Sequence, residues 1–383
     1  MRVVLASLLL VSLGMAQQAG PPKPTKQERA ASRLQQDVRS AETQTTNKAA
    51  PTATPDAEPV DPNAVGTYSP EISEAIKRFP PYIPLSPGPE GTLRITGSNA
   101  MAQLLTALGD AFKSIYPSTN VEVKQGGSEK GLEALKTGQC DMAAFSVALT
   151  AAEVADLESA TGLKVFQVPI ALGAICVFVN ADNPLPSITH DQLNSIFAIT
   201  HSRTKDPILR WNDLDPKSPL GDKFMSLYML PSSHGTMRGF MDWVMPGENL
   251  QTITRYEEPG PSSVVNACCA YAEAMGISGY ANRQPRARMV PVSEGPGKPA
   301  IEPSFRTIRD GVYPMTRPLT LVFLAPSEAQ VPSLDLEFLR FAWSESGQDT
   351  FATLGVVVPD IDHPPALLGD IHRPHGLAAP AAK

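Results

Sequence analysis

Three short stretches carry residue types suited to holding an anion: GSNAM (97–101), QGGSEKG (125–131) and SSHGTM (232–237). Each crowds glycine and a small hydroxyl or amide residue against the start of a helical pattern. The first turn of a helix has unsatisfied N–H groups and the positive end of its dipole, so a small anion sits well there. Glycine lets the backbone approach a ligand closely, and serine or threonine adds a hydroxyl donor. Taken singly, such a residue is no more than a helix cap. Three in one chain are more than caps require. Neither GxxxxGK[ST] nor GxGxxG occurs, so these are not nucleotide-binding loops of the usual kinds.

Asp141, in QCDMAAFS (139–146), adds a carboxylate. It would repel an anion without hydrogens, yet it can accept a short O–H···O⁻ bond from one that keeps a proton. Placed beside the three junctions, it would select hydrogen phosphate over sulfate; otherwise it is a surface or capping residue. A buried anion also needs positive charge, since an unpaired buried charge costs about 3–5 kcal/mol. Lys130, His234 and Arg238 are the candidates, and Glu129 works against them. Lys130 and Arg238 can equally be solvated helix charges. If His234 supplies the charge, binding weakens as pH rises through the imidazole range.

These residues need elements to position them. LRIT (93–96) reads as a buried strand, and AQLLTALGDAFKSIY puts Leu104, Leu105, Leu108, Phe112 and Ile115 on one helical face before Pro117 stops it. VEVKQ (121–125), CDMAAFS (140–146), ALGAICVFVN (171–180) and SLYML (226–230) read as further strands. GLEALKTG, ended by Gly138, and TMRGFMDWVM read as helices, and THDQLNSIF opens on a T-x-x-Q capping box. Strands alternating with helices imply βαβ units around mostly parallel sheets. In open sheets of this kind ligands lie at the carboxyl ends of strands, where all three junctions would fall. The stretch is longer than one sheet normally needs, so two α/β lobes are expected.

Composition bounds the rest. A net charge of -7 over 383 residues argues against nucleic acid as a partner. MRVVLASLLLVSLGMA, residues 1–16, has the layout of a cleaved secretory signal, and no cysteine follows its apolar run to carry a lipid. The mature protein is therefore expected in the periplasm or secreted. Residues 17–90 are rich in Pro, Ala and Thr and read as a disordered tether with a short helix at 72–79, and 359–383 as a disordered tail. Cys140, Cys176, Cys268 and Cys269 lack metal-ligand spacing, which leaves burial as small apolar residues or one disulfide. No cofactor is implied.

In order along the chain, GSNAM, QGGSEKG, CDMAAFS, VPIALGAICVFVNADNPLPSIT, SSHGT, MGISGYAN, GVYPMTRPLTLVF and FLRFAWSESGQDTFATLGVVV resemble the phosphate-binding components of bacterial ABC transporters. The likeness covers about residues 91–358. It implies a two-lobed periplasmic-binding-protein-like fold, each lobe a mostly parallel sheet flanked by helices. Two crossing strands, near Ile175–Asn180 and Leu319–Leu324, join the lobes. Lobe one would be 91–177 plus 315–358, and lobe two 178–314. The family's ligand contacts carry over to Ser98, Asn99 and Ala100, to Gly127 and Ser128, to Asp141 and Ser146, and to His234, Gly235 and Thr236. This chain departs from the pattern in lacking an arginine after Ser146, where Val147 stands, and another near Leu230. The implied function is capture of phosphate or a related oxyanion by a monomeric binding protein that serves a membrane permease, with no chemistry performed. Two alternatives stay open: a relative that has lost its ligand and acts in the envelope or in signalling, and a phosphatase or esterase on the same scaffold.

Overall fold

The first half of the molecule begins with helix α1 (Pro70–Lys77), which starts on a proline and buries Ala75 and Ile76. Strand β1 (Gly91–Gly97) follows, then α2 (Ala102–Ile115), β2 (Thr119–Gln125), α3 (Gly127–Lys136), β3 (Met142–Phe145), α4 (Ala151–Thr161) and the long β4 (Lys164–Asn180). The computed structural model describes residues 69–204 and 206–369, all within one compact unit of chain, Pro62–Lys383. The expected signal at 1–16, residues 17–68 of the tether and residues 370–383 of the tail lie outside the described residues.

The second half contains β5 (Ile188–Thr189), α5 (His190–Phe197), α6 (Trp211–Leu214), β6 (Ser226–Met229), α7 (Gly235–Val244), β7 (Arg255–Glu257), α8 (Pro261–Ala270), β8 (Ala274–Gly279), β9 (Ala287–Met289), β10 (Val292–Ser293) and α9 (Phe305–Arg309). The chain then returns through β11 (Thr316–Ala325), α10 (Ser333–Ala342), α11 (Glu345–Thr353) and α12 (Ala366–Gly369). Strand order is β2-β1-β3-β11-β4-β8-β6-β7, with β9 also on β4 and a separate β10-β5 pair. β1 runs parallel to β2 and β3, and β6 runs parallel to β7 and β8. These two parallel groups are the two halves, and β11 and β4 lie antiparallel between them.

β4 is the hinge of this arrangement. Up to Ala174 it pairs with β11, and from Ile175 to Val179 it pairs with β8. Its 17 residues are mostly buried on both faces, so they read as an unbroken apolar run rather than an alternating one. The return passage lies earlier than 319–324: β11 is paired to β4 from Thr316 onward, so those residues sit wholly inside the first sheet. Just before it, the Tyr313 hydroxyl donates to the Ile175 carbonyl at 3.0 Å and ties the two passages together.

Side-chain alternation decides which way each strand faces. Met142 and Ala144 of β3 join the main core, while Ala143 and Phe145 join a second cluster with Leu135 and Leu157. Helices therefore cover both faces of the first sheet. On α2 the expected stripe is buried at Leu104, Leu105, Leu108 and Phe112, each contributing about 1.5–3 kcal/mol through burial. Gly97 ends β1 at φ +148, and a Cβ there would lie 2.3 Å from the Ala144 carbonyl oxygen. Only glycine fits so close to β3.

The described parts of the expected tether and tail are packed. Phe79 is buried, and the hydroxyls of Tyr82 and Tyr116 both donate to Glu337 of α10, itself only 1% exposed. Aromatic and short apolar residues were hidden among the prolines, and they bury enough surface to hold residues 69–90 in place. In the tail, Leu368 of α12 is fully buried and Arg78 pairs with Asp362 at 2.6 Å. Cys140, Cys176 and Cys268 are buried free thiols and Cys269 is a half-buried one.

Candidate functional site

The carboxyl ends of β1 and β3 bring Ser98 and Ser146 together. The strands are parallel neighbours with Gly97 opposite Ala144, so the residues just beyond them emerge side by side. Ser98 donates its backbone N–H to Ala144 at 2.8 Å and its hydroxyl to the Ser146 Oγ at 3.1 Å. Both serines are buried. From the second half of the molecule, the first residue of α7 presses against them. A Cβ on Gly235 would stand 2.4 Å from the Ser146 Oγ and 3.7 Å from the Ser98 Oγ, so no larger residue fits there without displacement. The second junction adjoins the first: the Asn99 side-chain carbonyl accepts from the Gly126 N–H at 3.1 Å. A Cβ on Gly127 would come within 4.0 Å of the Ser233 carbonyl oxygen, which links it to the third. Ser128 and Gly235 line one cavity of about 120 Å³ together with Phe145 and Val147. The three junctions converge.

At the start of α7, His234 is the cap, and its Nδ1 accepts from the Thr236 N–H at 3.2 Å. A neutral ring with an accepting Nδ1 carries its proton on Nε2. Burial, reinforced by the nearby Arg317 charge, pushes His234 down to about 4, so it is neutral at physiological pH. His234 is therefore not a cation there, and the buried charge beside it is Arg317. It is the second residue of β11 and is 8% exposed; Nη1 donates to the Gly235 carbonyl at 3.0 Å and Nη2 to the Thr236 Oγ1 at 3.0 Å. Its Nε has no partner, and no carboxylate pairs with it among the described residues. Burial lowers it to about 10, which still leaves it charged at neutral pH.

The remaining sequence candidates are placed differently. Asp141 lies at the amino end of β3, away from Ser146, and is gripped by Arg94. Nη2 meets Oδ1 at 2.7 Å, Nε meets Oδ2 at 3.1 Å, and the Arg94 backbone N–H meets Oδ2 at 2.7 Å. That pairing holds its carboxyl below the usual range against the opposing effect of burial. Strand direction overturns the expectation that Asp141 faces the junctions. Ala100 sits half-buried in the 3-10 turn Asn99–Met101. Lys130 is exposed and folds over Gly126, and Arg238 stands at the rim, 3.9 Å from Glu129. A larger open groove of about 670 Å³ passes Pro186, Met289 and Pro291. Its arginines are already engaged: Arg288 donates to Asn183 and Leu185, Arg283 to Tyr280 and Gly355. Arg283 is exposed and Arg288 half-buried, whereas Arg317 is buried, so the cluster at Ser98, Ser146 and α7 is the better anion site.

Arg317 is the residue that sequence reasoning passed over, although TRPL belongs to a segment that carried the resemblance. A charged residue inside the apolar strand TRPLTLVFLA was its only local signal.

Comparison with known proteins bears on the family. A family model described as a PBP superfamily domain matches residues 83–346. The phosphate-binding protein PstS of Pseudomonas aeruginosa is 27% identical over 296 residues, covering 77% of this chain and 91% of that protein. The phosphate-binding protein PstS of Staphylococcus haemolyticus is 27% identical over 266 residues, covering 68% of this chain and 78% of that protein. Among solved structures, an ABC-type phosphate transport receptor from Vibrio cholerae aligns with a TM-score of 0.57 at 20% identity, covering 70% of this chain and 100% of that one.

Proposed function

Because the chain belongs to the PBP superfamily, we propose that it is an extracytoplasmic binding protein that captures phosphate or a related tetrahedral oxyanion and presents it to an ABC-transporter permease. The observation that carries this reading is Arg317. A buried guanidinium without a carboxylate partner is costly to keep, and a bound anion removes the cost. It is bonded to the first two residues of α7, so its charge and the positive end of the helix dipole both favour an anion there. The hydroxyl protons of Ser146 and Thr236 are free to donate, because each oxygen already accepts from a neighbour. The two halves contribute separately to the site: Ser98 and Ser146 from the first sheet, His234 to Thr236 from the second. Ligand would bridge them and favour a closed shape that a permease could read. A hydrolase would need a hydroxyl poised on the imidazole, whereas the His234 Nδ1 is taken by a backbone N–H.

Thermal unfolding with and without phosphate tests the proposal. Ligand at 100 times its Kd adds about 2.7 kcal/mol of stability. No shift with phosphate, sulfate or arsenate at millimolar concentration would show that the oxyanion reading is wrong.

A further inference from the structure

The side chains that meet at Ser98, Ser146 and the α7 N-terminus are the hydroxyls of Ser98, Ser146 and Thr236, the half-buried His234 ring and the Arg317 guanidinium; none is a carboxylate. We propose that this site binds fully deprotonated tetrahedral oxyanions, sulfate included, about as well as it binds phosphate. The inference rests on the oxyanion reading above and narrows it.

Discrimination by a ligand's proton needs an acceptor that cannot also donate. A buried carboxylate is such a group: it welcomes P–O–H and repels a bare oxygen. Sites that leave a buried polar group unpaired by the wrong ligand can reject it by about 10⁴–10⁵. A serine hydroxyl has one proton and two lone pairs and rotates to suit either partner. At Ser146, the residue just beyond the end of β3, both kinds of ligand oxygen are therefore satisfied.

Glu129, Glu153 and Asp242 line the cavity beside Ser128 and Gly235, but none of them is buried there, and Asp141 lies elsewhere. Asp141 is five residues back along β3, about 16 Å away at roughly 3.3 Å per residue, and is bound by Arg94. Glu129 has an 89% exposed side chain directed at Arg238. Glu153 accepts from the Thr150 backbone N–H and hydroxyl, both at 2.8 Å, as the cap of α4. Asp242 is exposed, two turns along α7 from Gly235. None is a buried acceptor at the cluster.

The test is titration calorimetry on the ligand-stripped protein at pH 8, where phosphate and sulfate are both dianions. Affinities within about tenfold of one another support the inference. Phosphate tighter by more than tenfold overturns it while leaving the oxyanion site in place, and binding of neither ion overturns the oxyanion site itself. Two variants locate the cause. Ser146→Asp introduces the missing acceptor and is expected to weaken sulfate at least 100-fold while phosphate stays within tenfold; unchanged sulfate binding would remove Ser146 from the ligand. Glu129→Gln folds on a surface position and is expected to leave the ratio unchanged; a shift beyond tenfold would make Glu129 the discriminator and end the proposal.

Discussion

Arg317 and Thr236, 81 positions apart in the chain, meet through a 3.0 Å hydrogen bond from Nη2 to Oγ1. That bond joins the entrance of β11, in the first sheet, to the first turn of α7, in the second. It places a charge where neither element could have supplied one alone. Replacing Arg317 by Met is expected to weaken phosphate binding at least 100-fold, about 2.7 kcal/mol. The readout is the ligand-induced shift in Tm relative to the unliganded variant, which separates binding from any change in basal stability. A full shift retained in the variant contradicts the role.

His234 is held near 4 by burial and by Arg317. Its folded pKa lies below the ordinary imidazole value, so the unfolded chain binds more protons between about pH 4 and 6.5. Stability from this group is present above pH 6.5 and is lost as pH falls toward 4. Between pH 5.5 and 8.5 the ring in the folded protein stays neutral. Sulfate, which does not titrate in that range, should bind with the same affinity at both ends by calorimetry. A loss above pH 7 would return the charge to His234.

Gly235 and Ser146 come from opposite halves and touch. Gly235→Ala puts a methyl 2.4 Å from the Ser146 Oγ and is expected to weaken ligand binding by more than tenfold. Removing that oxygen as well, in the Gly235→Ala/Ser146→Ala double variant, relieves the overlap. A double-mutant cycle on unliganded stability should then show a favourable coupling of about 0.5–3 kcal/mol, and simple additivity would mean the contact is not made.

Asp335, in the first turn of α10, is buried, and burial with help from Asp141 raises its carboxyl to about 7. Burial outweighs the favourable end of the helix here. Its folded pKa exceeds the unfolded one, so the native state binds more protons between about pH 4 and 7, and stability falls across that window as pH rises. Asp335→Asn has no proton to lose. Urea unfolding should find the variant ahead of the parent at pH 8 by about 1–3 kcal/mol, with the gap shrinking toward pH 5. An equal difference at both pH values would show that Asp335 is not the titrating group.

The Tyr116 hydroxyl accepts from the Leu85 N–H at 2.7 Å and donates to Glu337 at 2.8 Å. Tyr116→Phe leaves a backbone donor and a buried carboxylate each short of a partner, which costs about 1–3 kcal/mol. Faster limited proteolysis within residues 78–90, at unchanged ligand affinity, is the expected signature.

Much of this protein was decided locally. The amphipathic face of α2, the caps of α4 and α5, the alternation of strand and helix and the three glycine-rich junctions follow from nearest-neighbour chemistry, and together they define a two-part α/β fold with anion-binding loops. Only the folded chain decided which charges reach the site. A strand's residues look alike from either end, so Asp141 and Ser146 could exchange roles on paper. The parallel pairing of β1 with β3 sends one to Arg94 and the other to Ser98. The packing of residues 78–90 has a related cause, since Tyr82 meets Glu337 and Phe341 and Phe79 meets Trp343, all more than 250 residues onward. Arg317 is the sharpest case: its partners come from distant sequence, and no local pattern encodes a contact that exists only once two sheets have been brought together.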